Sequence, residues 1–316
     1  YPYPEPATGP VKIPFPDGAS WKAYQNSRGR LSRDDWRRDN VNRFIARIYR
    51  EVHAAKPWVR VGISPFGIYR PGSPAGIRGL DQYQSLYADP KLWLAQGWLD
   101  YLAPQLYWRS DAPAQSFPVL LKWWAENNPR RRMIVAGLNT TALGAAEILQ
   151  QIKMTREQAG VVGHIHWNMS ALMKNKGGVG DALARSSYSE IALTPALDGG
   201  AKPSKPKAVV RMKNGGVEID FRGNAEANVY GLLIQTRNDR GEWESVVKRA
   251  QTLLHHQSPA PSAVSVRAMD EFGNLSDANV FQRTEAPPPS ATKPQPETQP
   301  RNAPSPRNAP PLRRGK

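Results

Sequence analysis

The stretch Gly97-Trp98-Leu99-Asp100-Tyr101-Leu102-Ala103-Pro104-Gln105-Leu106-Tyr107-Trp108 alternates with a period of two residues. Tyr101, Ala103, Gln105 and Tyr107 fall on one side of an extended chain, and Leu102, Pro104 and Leu106 on the other. Three further short apolar runs accompany it, so that the four begin at 58, 99, 133 and 161. That separation is what a strand, a crossover helix and the next parallel strand require. Helical patterns at 90–96, 117–127 and 145–158 fill the gaps. An earlier helix is predicted from Ser32, with Asp35 three residues on as an acidic variant of the capping box. Trp36, Val41, Phe44, Ile45, Ile48 and Tyr49 recur at helical spacing and are expected to form its buried stripe. The Pro-rich residues before about Asn26 read as a loop. Alternating strand and helix over 1–195 predicts an α/β unit with a parallel sheet or barrel.

Beyond it the character of the chain changes. Residues 196–207 are rich in Pro, Gly and Lys and read as a linker. Period-two alternation with turn signals, such as Asn214-Gly215-Gly216 between two apolar runs, then predicts a small β-sandwich over 208–284. Residues 285–316 repeat Arg-Asn-Ala-Pro at 301–304 and 307–310 and offer too little apolar surface to offset ordering entropy, so a disordered tail is expected there.

With 43 Lys+Arg against 27 Asp+Glu, the formal charge is +16, a balance that favours anionic partners. Part of that charge lies in the tail, which weakens the case for a basic cleft. Nucleic acid is not the expected partner, because no helix-turn-helix, zinc-finger or single-strand-stacking motif accompanies the charge. The chain has no Cys, which excludes disulfides, Cys-zinc sites and thiol nucleophiles. No run approaches the ~18 apolar residues that cross a bilayer.

In a barrel of parallel strands, one side of each strand meets the helices and the other fills the interior. On the last run, Gly163, Ile165, Trp167 and Met169 form an apolar set expected to pack on helices. His164, His166 and Asn168 alternate with them and are expected to point inward. Gly62 and Ser64, Tyr101 to Tyr107, and Gly137 and Asn139 supply the inward sides of the other runs. Polar groups therefore gather toward the C-terminal strand ends, where barrel enzymes carry their sites. Buried polar groups need partners or a ligand. With the aromatics Tyr69, Tyr107 and Trp108 at that end, the pattern reads as a sugar cleft lined by Ser64, Gln105, Tyr107, Trp108, Asn139, His166 and Asn168. No Asp or Glu sits at any of the four strand ends, although glycoside hydrolysis normally needs two carboxylates. Glu5 and Asp17 are the nearest acids, in the opening loop; Asp100 reads as structural. His164 and His166 could suit a metal, but no third ligand converges, so neither metal nor cofactor is expected.

Three blocks carry a family resemblance: residues 34–42 (Asp-Asp-Trp-Arg-Arg-Asp-Asn-Val-Asn), 62–72 (Gly-Ile-Ser-Pro-Phe-Gly-Ile-Tyr-Arg-Pro-Gly) and 97–108. In order and spacing they resemble the bacterial glycosyl hydrolase-like 10 family, exported proteins or lipoproteins with a (β/α)8 barrel. The resemblance covers about 1–190 and implies that the four runs are strands five to eight, the C-terminal half of that barrel. Residues 205–283 resemble a fibronectin type III module. Tyr1-Pro2-Tyr3-Pro4 is similar to the segment that follows strand four, which adds Tyr3 to the substrate-binding candidates. The family's strand four typically ends in adjacent acids that this chain does not contain. The resemblance thus implies an extracytoplasmic glycosidase acting on a bacterial glycan, with peptidoglycan strands as the expected substrate. It further implies an N-terminally truncated chain without the main catalytic carboxylates, and membrane attachment through an upstream lipoprotein signal. The alternative is a non-catalytic cell-wall glycan-binding protein.

Overall fold

The computed structural model describes residues 1, 5–6, 12–213, 215–221, 229–249 and 254–283. Tyr3 and the expected tail at 285–316 lie outside them, as does the side chain of Glu5. The chain opens with a small antiparallel pair, β1 (Glu5–Pro6) and β2 (Lys12–Ile13). Two helices follow, α1 (Gly18–Asn26) and α2 (Arg33–Ala55). Strand–helix units then run β3 (Gly62–Ile63), α3 (Gln82–Ser85), α4 (Pro90–Gln96), β4 (Tyr101–Leu102), α5 (Phe117–Glu126), β5 (Met133–Asn139), α6 (Ala145–Glu157) and β6 (Val161–Trp167). The short helices α7 (Met169–Met173) and α8 (Val179–Arg185) close this unit. The result is a mixed α/β unit with a four-stranded sheet in the order β3-β4-β5-β6, every pair parallel.

Local chemistry sets the helix bounds. The Ser32 hydroxyl accepts the Asp35 N–H at the head of α2. In α4, the Asp89 carboxylate accepts the Leu92 N–H, Pro90 occupies the first turn, and Gly97 closes the helix at φ 72°, a conformation that favours glycine. Two expectations fail at the N-terminal end. Residues 18–26 form a helix rather than a loop, because Trp21 and Tyr24 stack on each other and pack at a tilt against Trp36 of α2. Within α2, Phe44 is exposed and Ile45 is buried, so the stripe is narrower than its spacing implied.

The core lies between the sheet and its helices. Leu102, Leu106, Ile134, Ala136 and Leu138 meet Phe117, Leu120, Leu121 and Trp124 of α5 and Ile148 and Ile152 of α6, all essentially inaccessible. Each such side chain contributes roughly 1.5–3 kcal/mol by leaving water. The buried Trp124 indole also donates to the Gly67 carbonyl at 2.8 Å, tying α5 to the loop after β3.

The second unit is all antiparallel. Strands β7 (Val209–Lys213), β8 (Gly216–Asp220) and β11 (Leu254–Gln257) form one sheet. Strands β9 (Gly231–Arg237), β10 (Trp243–Arg249), β12 (Ala263–Met269) and β13 (Asn279–Gln282) form the other, in the order β10-β9-β12-β13. Ile219, Phe221, Leu232, Ile234, Val264 and Val266 fill the space between them. The two units touch where Arg60 donates to the Pro195 and Phe272 carbonyls and the Leu197 N–H donates to Phe272.

Candidate functional site: the open face of the parallel sheet

One side of the parallel sheet carries the helices; the other is open. Registers assign the side chains, because residues paired across parallel strands share a face. Gly62 pairs with Tyr101 and Tyr101 with Met133, which puts all three on the open face. Bridges place Gln105 between Phe66 and Gly137, and Gly137 pairs with Ile165. Asn139 pairs with Trp167. The open face therefore ascends from Tyr101 and Met133 through Gln105, Gly137 and Ile165 to Asn139 and Trp167 at the C-terminal strand ends.

Glycines let the rings lie flat there. A Cβ on Gly62 would sit 2.0 Å from the Tyr101 ring, and one on Gly137 would sit 3.3 Å from the Tyr107 ring and 2.8 Å from the Pro104 carbonyl oxygen. Tyr107 in turn approaches Trp167, with ring centroids 6.3 Å apart and planes tilted by 34°. Partial burial pushes the Tyr107 phenol up, so it is a neutral donor at neutral pH. Beside this aromatic pair stand two amides. Gln105 reaches across the sheet to donate to the Ser64 carbonyl at 3.1 Å, which fixes the β3 loop. The Asn139 carbonyl oxygen accepts from the Thr141 hydroxyl at 2.6 Å and the Ala142 N–H at 3.2 Å, which leaves its NH2 group for another acceptor.

The last strand corrects the sequence reading. Leu138 pairs with His166 and Ala136 with His164, so both histidines share the helix-facing side with those core residues. Both Nε2 atoms converge on the Tyr188 hydroxyl, and the Tyr188 ring lies parallel to His164. Ile165 and Trp167, expected against helices, stand on the open face with relative accessibilities of 45% and 56%. Polarity suggested the opposite because a hydroxyl from beyond α8 partners one nitrogen of each histidine, a contact that strand alternation does not reveal; both Nδ1 atoms stay buried without a partner. Burial, then the neighbouring His166 and Arg156, hold His164 down to about 4. His166 is lowered by burial as well.

Two other expected lining residues also lie elsewhere. Tyr69 stacks on Trp123 of α5 at 5.7 Å and 21° and donates to the Asp89 carboxylate, so it packs among helices. Trp108 packs against the core, edge-on to Phe66 at 5.5 Å, with its carbonyl held by Gln151 of α6. Asn168 follows Trp167 at the head of α7, with its side-chain oxygen buried and unpaired. Ser64 is exposed at the end of β3 and contributes its carbonyl to the Gln105 contact. The structure thus gathers Gln105, Tyr107 and Asn139 with Trp167. It leaves Tyr69, Trp108 and His166 outside. The sequence signal that could have found Trp167 is its pairing partner Asn139, once strand register is known.

The expected acid Asp17 and a second acid, Glu147, are committed to structure. Asp17 is buried and takes bonds from Arg37 at 2.6 Å and from Arg33; the Arg37 bond leads the effects that hold its carboxyl below the usual range. Glu147, at the start of α6, was not anticipated. Its Oε1 accepts the Ser110 N–H and hydroxyl, both at 2.7 Å, and the Gln151 amide at 2.8 Å. Burial pushes its carboxyl up, but those bonds and Arg109 outweigh burial and hold it low. It pins the loop after β4 as an ionised acceptor, the wrong protonation state for a general acid. Asp100, at the opposite end of the sheet, accepts the Val61 N–H at 2.7 Å and contacts His53 at 2.9 Å, the structural role expected. Among the described residues no carboxylate stands on the open face, and no cluster of three or more His, Asp or Glu could hold a metal.

Residues 14–154 match the family model described as Glycosyl hydrolase-like 10. Glycosyl hydrolase YngK of Bacillus subtilis (strain 168) is 37% identical over 223 residues, covering 64% of this chain and 43% of YngK. Glycosyl hydrolase DigH of Escherichia coli (strain K12) is 41% identical over 112 residues, covering 34% of this chain and 26% of DigH. The matches span less than half the length of either relative. Among solved structures, the Clostridium perfringens spore cortex lytic enzyme SleM is 12% identical over 58% of this chain and 79% of its own, with a TM-score of 0.23. An FN3 domain of human collagen XX is 21% identical over 29% of this chain and all (100%) of its own, also at 0.23. Scores that low support no structural argument. Residues 14–154 thus match the glycosyl hydrolase-like 10 family, and the two curated relatives, both glycosyl hydrolases by name, support that family for this part of the chain.

Proposed function

We propose that this chain supplies half of the glycan-binding cleft of a glycoside hydrolase, with the parallel sheet as strands five to eight of a (β/α)8 barrel. The observation that carries the reading is the open face itself. Tyr107 and Trp167 form an aromatic pair, with the amides of Gln105 and Asn139 beside them at the strand ends. Flat aromatic rings pack on the C–H faces of a sugar ring while amides bond its hydroxyls. β3 and β6 are the outer strands of the sheet, as they would be if further strands closed it. On this reading the acid and base, or acid and nucleophile, belong to strands outside residues 1–316, since no carboxylate stands on the described open face.

Peptidoglycan strands are the proposed substrate, the site of action is the periplasm or cell envelope, and an upstream lipoprotein signal is the proposed attachment. The antiparallel unit is read as a fibronectin type III-like spacer. To test this, a protein carrying the complete barrel is incubated with peptide-free peptidoglycan strands and a panel of neutral polysaccharides. Release of new reducing ends is expected from the peptidoglycan strands; release from none overturns the hydrolase reading. Binding without release would favour the non-catalytic glycan-binding alternative, which the absence of a carboxylate on the described open face supports.

A further inference from the structure

The outward face of the β10-β9-β12-β13 sheet bears a regular pattern unrelated to the packing of the antiparallel unit. Registers place Trp243, Arg237, Ala263 and Gln282 in one row across the four strands. The next row is Ser245, Gln235, Ser265 and Val280, followed by Val247, Leu233 and Arg267, and then Arg249, Gly231 and Met269. The opposite side of the same strands carries Leu232, Ile234, Val264, Val266 and Ala268, which fill the core. The rows above therefore face away from it.

This face contains three arginines and no Asp or Glu. Neither Arg237 nor Arg249 forms an ion pair among the described residues; Arg267 acts on the Asp277 carboxylate only at longer range, and its Nε is buried without a partner. Acids on the adjoining loops are already engaged: Asp239 by Arg283, Glu242 by the Asn238 amide and Asp277 by Lys202. Trp243 stands beside Arg237 with 47% of its surface accessible. In the next row the Gln235 amide donates to the Ser245 hydroxyl at 3.3 Å, while Ser265 on its other side is buried. A large indole left in water at a sheet edge, next to an unpaired guanidinium and a hydroxyl–amide pair, matches the chemistry of a sugar ring that bears a carboxylate.

We infer that this face is a second binding surface, for an acidic polysaccharide, in which Trp243 stacks on a sugar ring and Arg237 takes a carboxylate. Arg267 and Arg249, one and two rows further from Ser245 and Gln235, extend the positive track along the chain of sugars. No row holds more than one arginine, which suits carboxylates spread along a chain of sugars better than a phosphate cluster. An acidic peptide would find the charge but would leave the indole and the Ser245–Gln235 pair without a function. The inference shares only the ligand class with the proposed function. It uses a different unit and needs no turnover, so either reading can fail without the other.

The test is affinity electrophoresis of the full chain through gels containing polygalacturonate, its carboxyl-reduced form, or poly-L-glutamate. Both Trp243→Ala and Arg237→Gln are compared with Trp58→Ala, an exposed aromatic on the other unit. Polygalacturonate is expected to retard the parent chain and Trp58→Ala alike at about 0.15 M ionic strength. Each face variant should weaken retardation by about tenfold, and the carboxyl-reduced polymer should bind the parent about tenfold less well. Equal retardation by poly-L-glutamate, or retardation unchanged in Trp243→Ala, would overturn the inference and leave a merely cationic surface. So would the absence of any retardation. Thermal unfolding of each variant at the parental temperature confirms that the comparison concerns binding and not folding.

Discussion

Acidification is the perturbation that most sharply probes the placement of β6. His164 and His166 lie on the helix-facing side, where burial keeps His164 uncharged until about pH 4, against 6.5 in an unfolded chain. The unfolded chain therefore takes up the proton first. The stability attached to neutral His164 is complete above the unfolded value and is lost as pH falls toward the folded one. Between about pH 7.5 and about pH 5 this one ring accounts for roughly 2 kcal/mol, and His166 acts in the same direction. The lowered carboxyls of Asp17 and Glu147 add their losses further down, where the carboxylates of an unfolded chain become protonated. Urea unfolding followed by tryptophan fluorescence reads the α/β unit, because every tryptophan except Trp243 lies within it. The unfolding midpoint should fall between the two pH values in the parent chain, and His164→Leu should remove most of that fall. A parental midpoint that is the same at both values, or higher at the lower pH, would refute the reasoning. It would mean that the histidines stand in water, as they would on the open face.

Further consequences follow from single contacts. Gly137→Ala places a methyl 2.8 Å from the Pro104 carbonyl oxygen, which is main chain and cannot swing away, so a loss of roughly 1–3 kcal/mol is expected in urea unfolding. An unchanged midpoint would show that β4 does not lie against Gly137 in this way. Asp100→Ala leaves the Val61 N–H without its acceptor at the closed end of the sheet and should cost about 1–3 kcal/mol, again by urea unfolding. Glu147→Gln removes the charge that holds Ser110, and limited proteolysis should then cut the loop between β4 and α5 faster than in the parent, with the core fragments unchanged.

Elements with local chemistry were legible in the sequence. The helix at 90–96 carries its own stop and start signals in Asp89, Pro90 and Gly97, and the structure bounds it there. The two full strands, β5 and β6, coincide with their apolar runs because hydrophobic continuity over seven residues is a strong signal. What could not be read was tertiary. Tyr188 lies 22 residues beyond His166, and only the fold brings its hydroxyl to the two imidazoles. Tyr69 and Trp108 follow strand ends like lining residues, yet Trp123 and Phe66 draw them into packing. The helix at 18–26 has little amphipathic pattern of its own and forms because Trp36 lies across it. The open-face residues Gln105, Tyr107 and Asn139 were identified because three of the four strands alternate in phase with their registers; the fourth does not.

The central claim is that sugars meet the Trp167 side of the last strand and not its histidine side. Calorimetric binding of neutral, β-1,4-linked N-acetylglucosamine oligosaccharides to the parent, Trp167→Ala and His166→Ala chains tests it most directly. Affinity should fall about tenfold or more in Trp167→Ala and stay at the parental value in His166→Ala. The reverse order, with His166→Ala weakened and Trp167→Ala unaffected, would contradict the account.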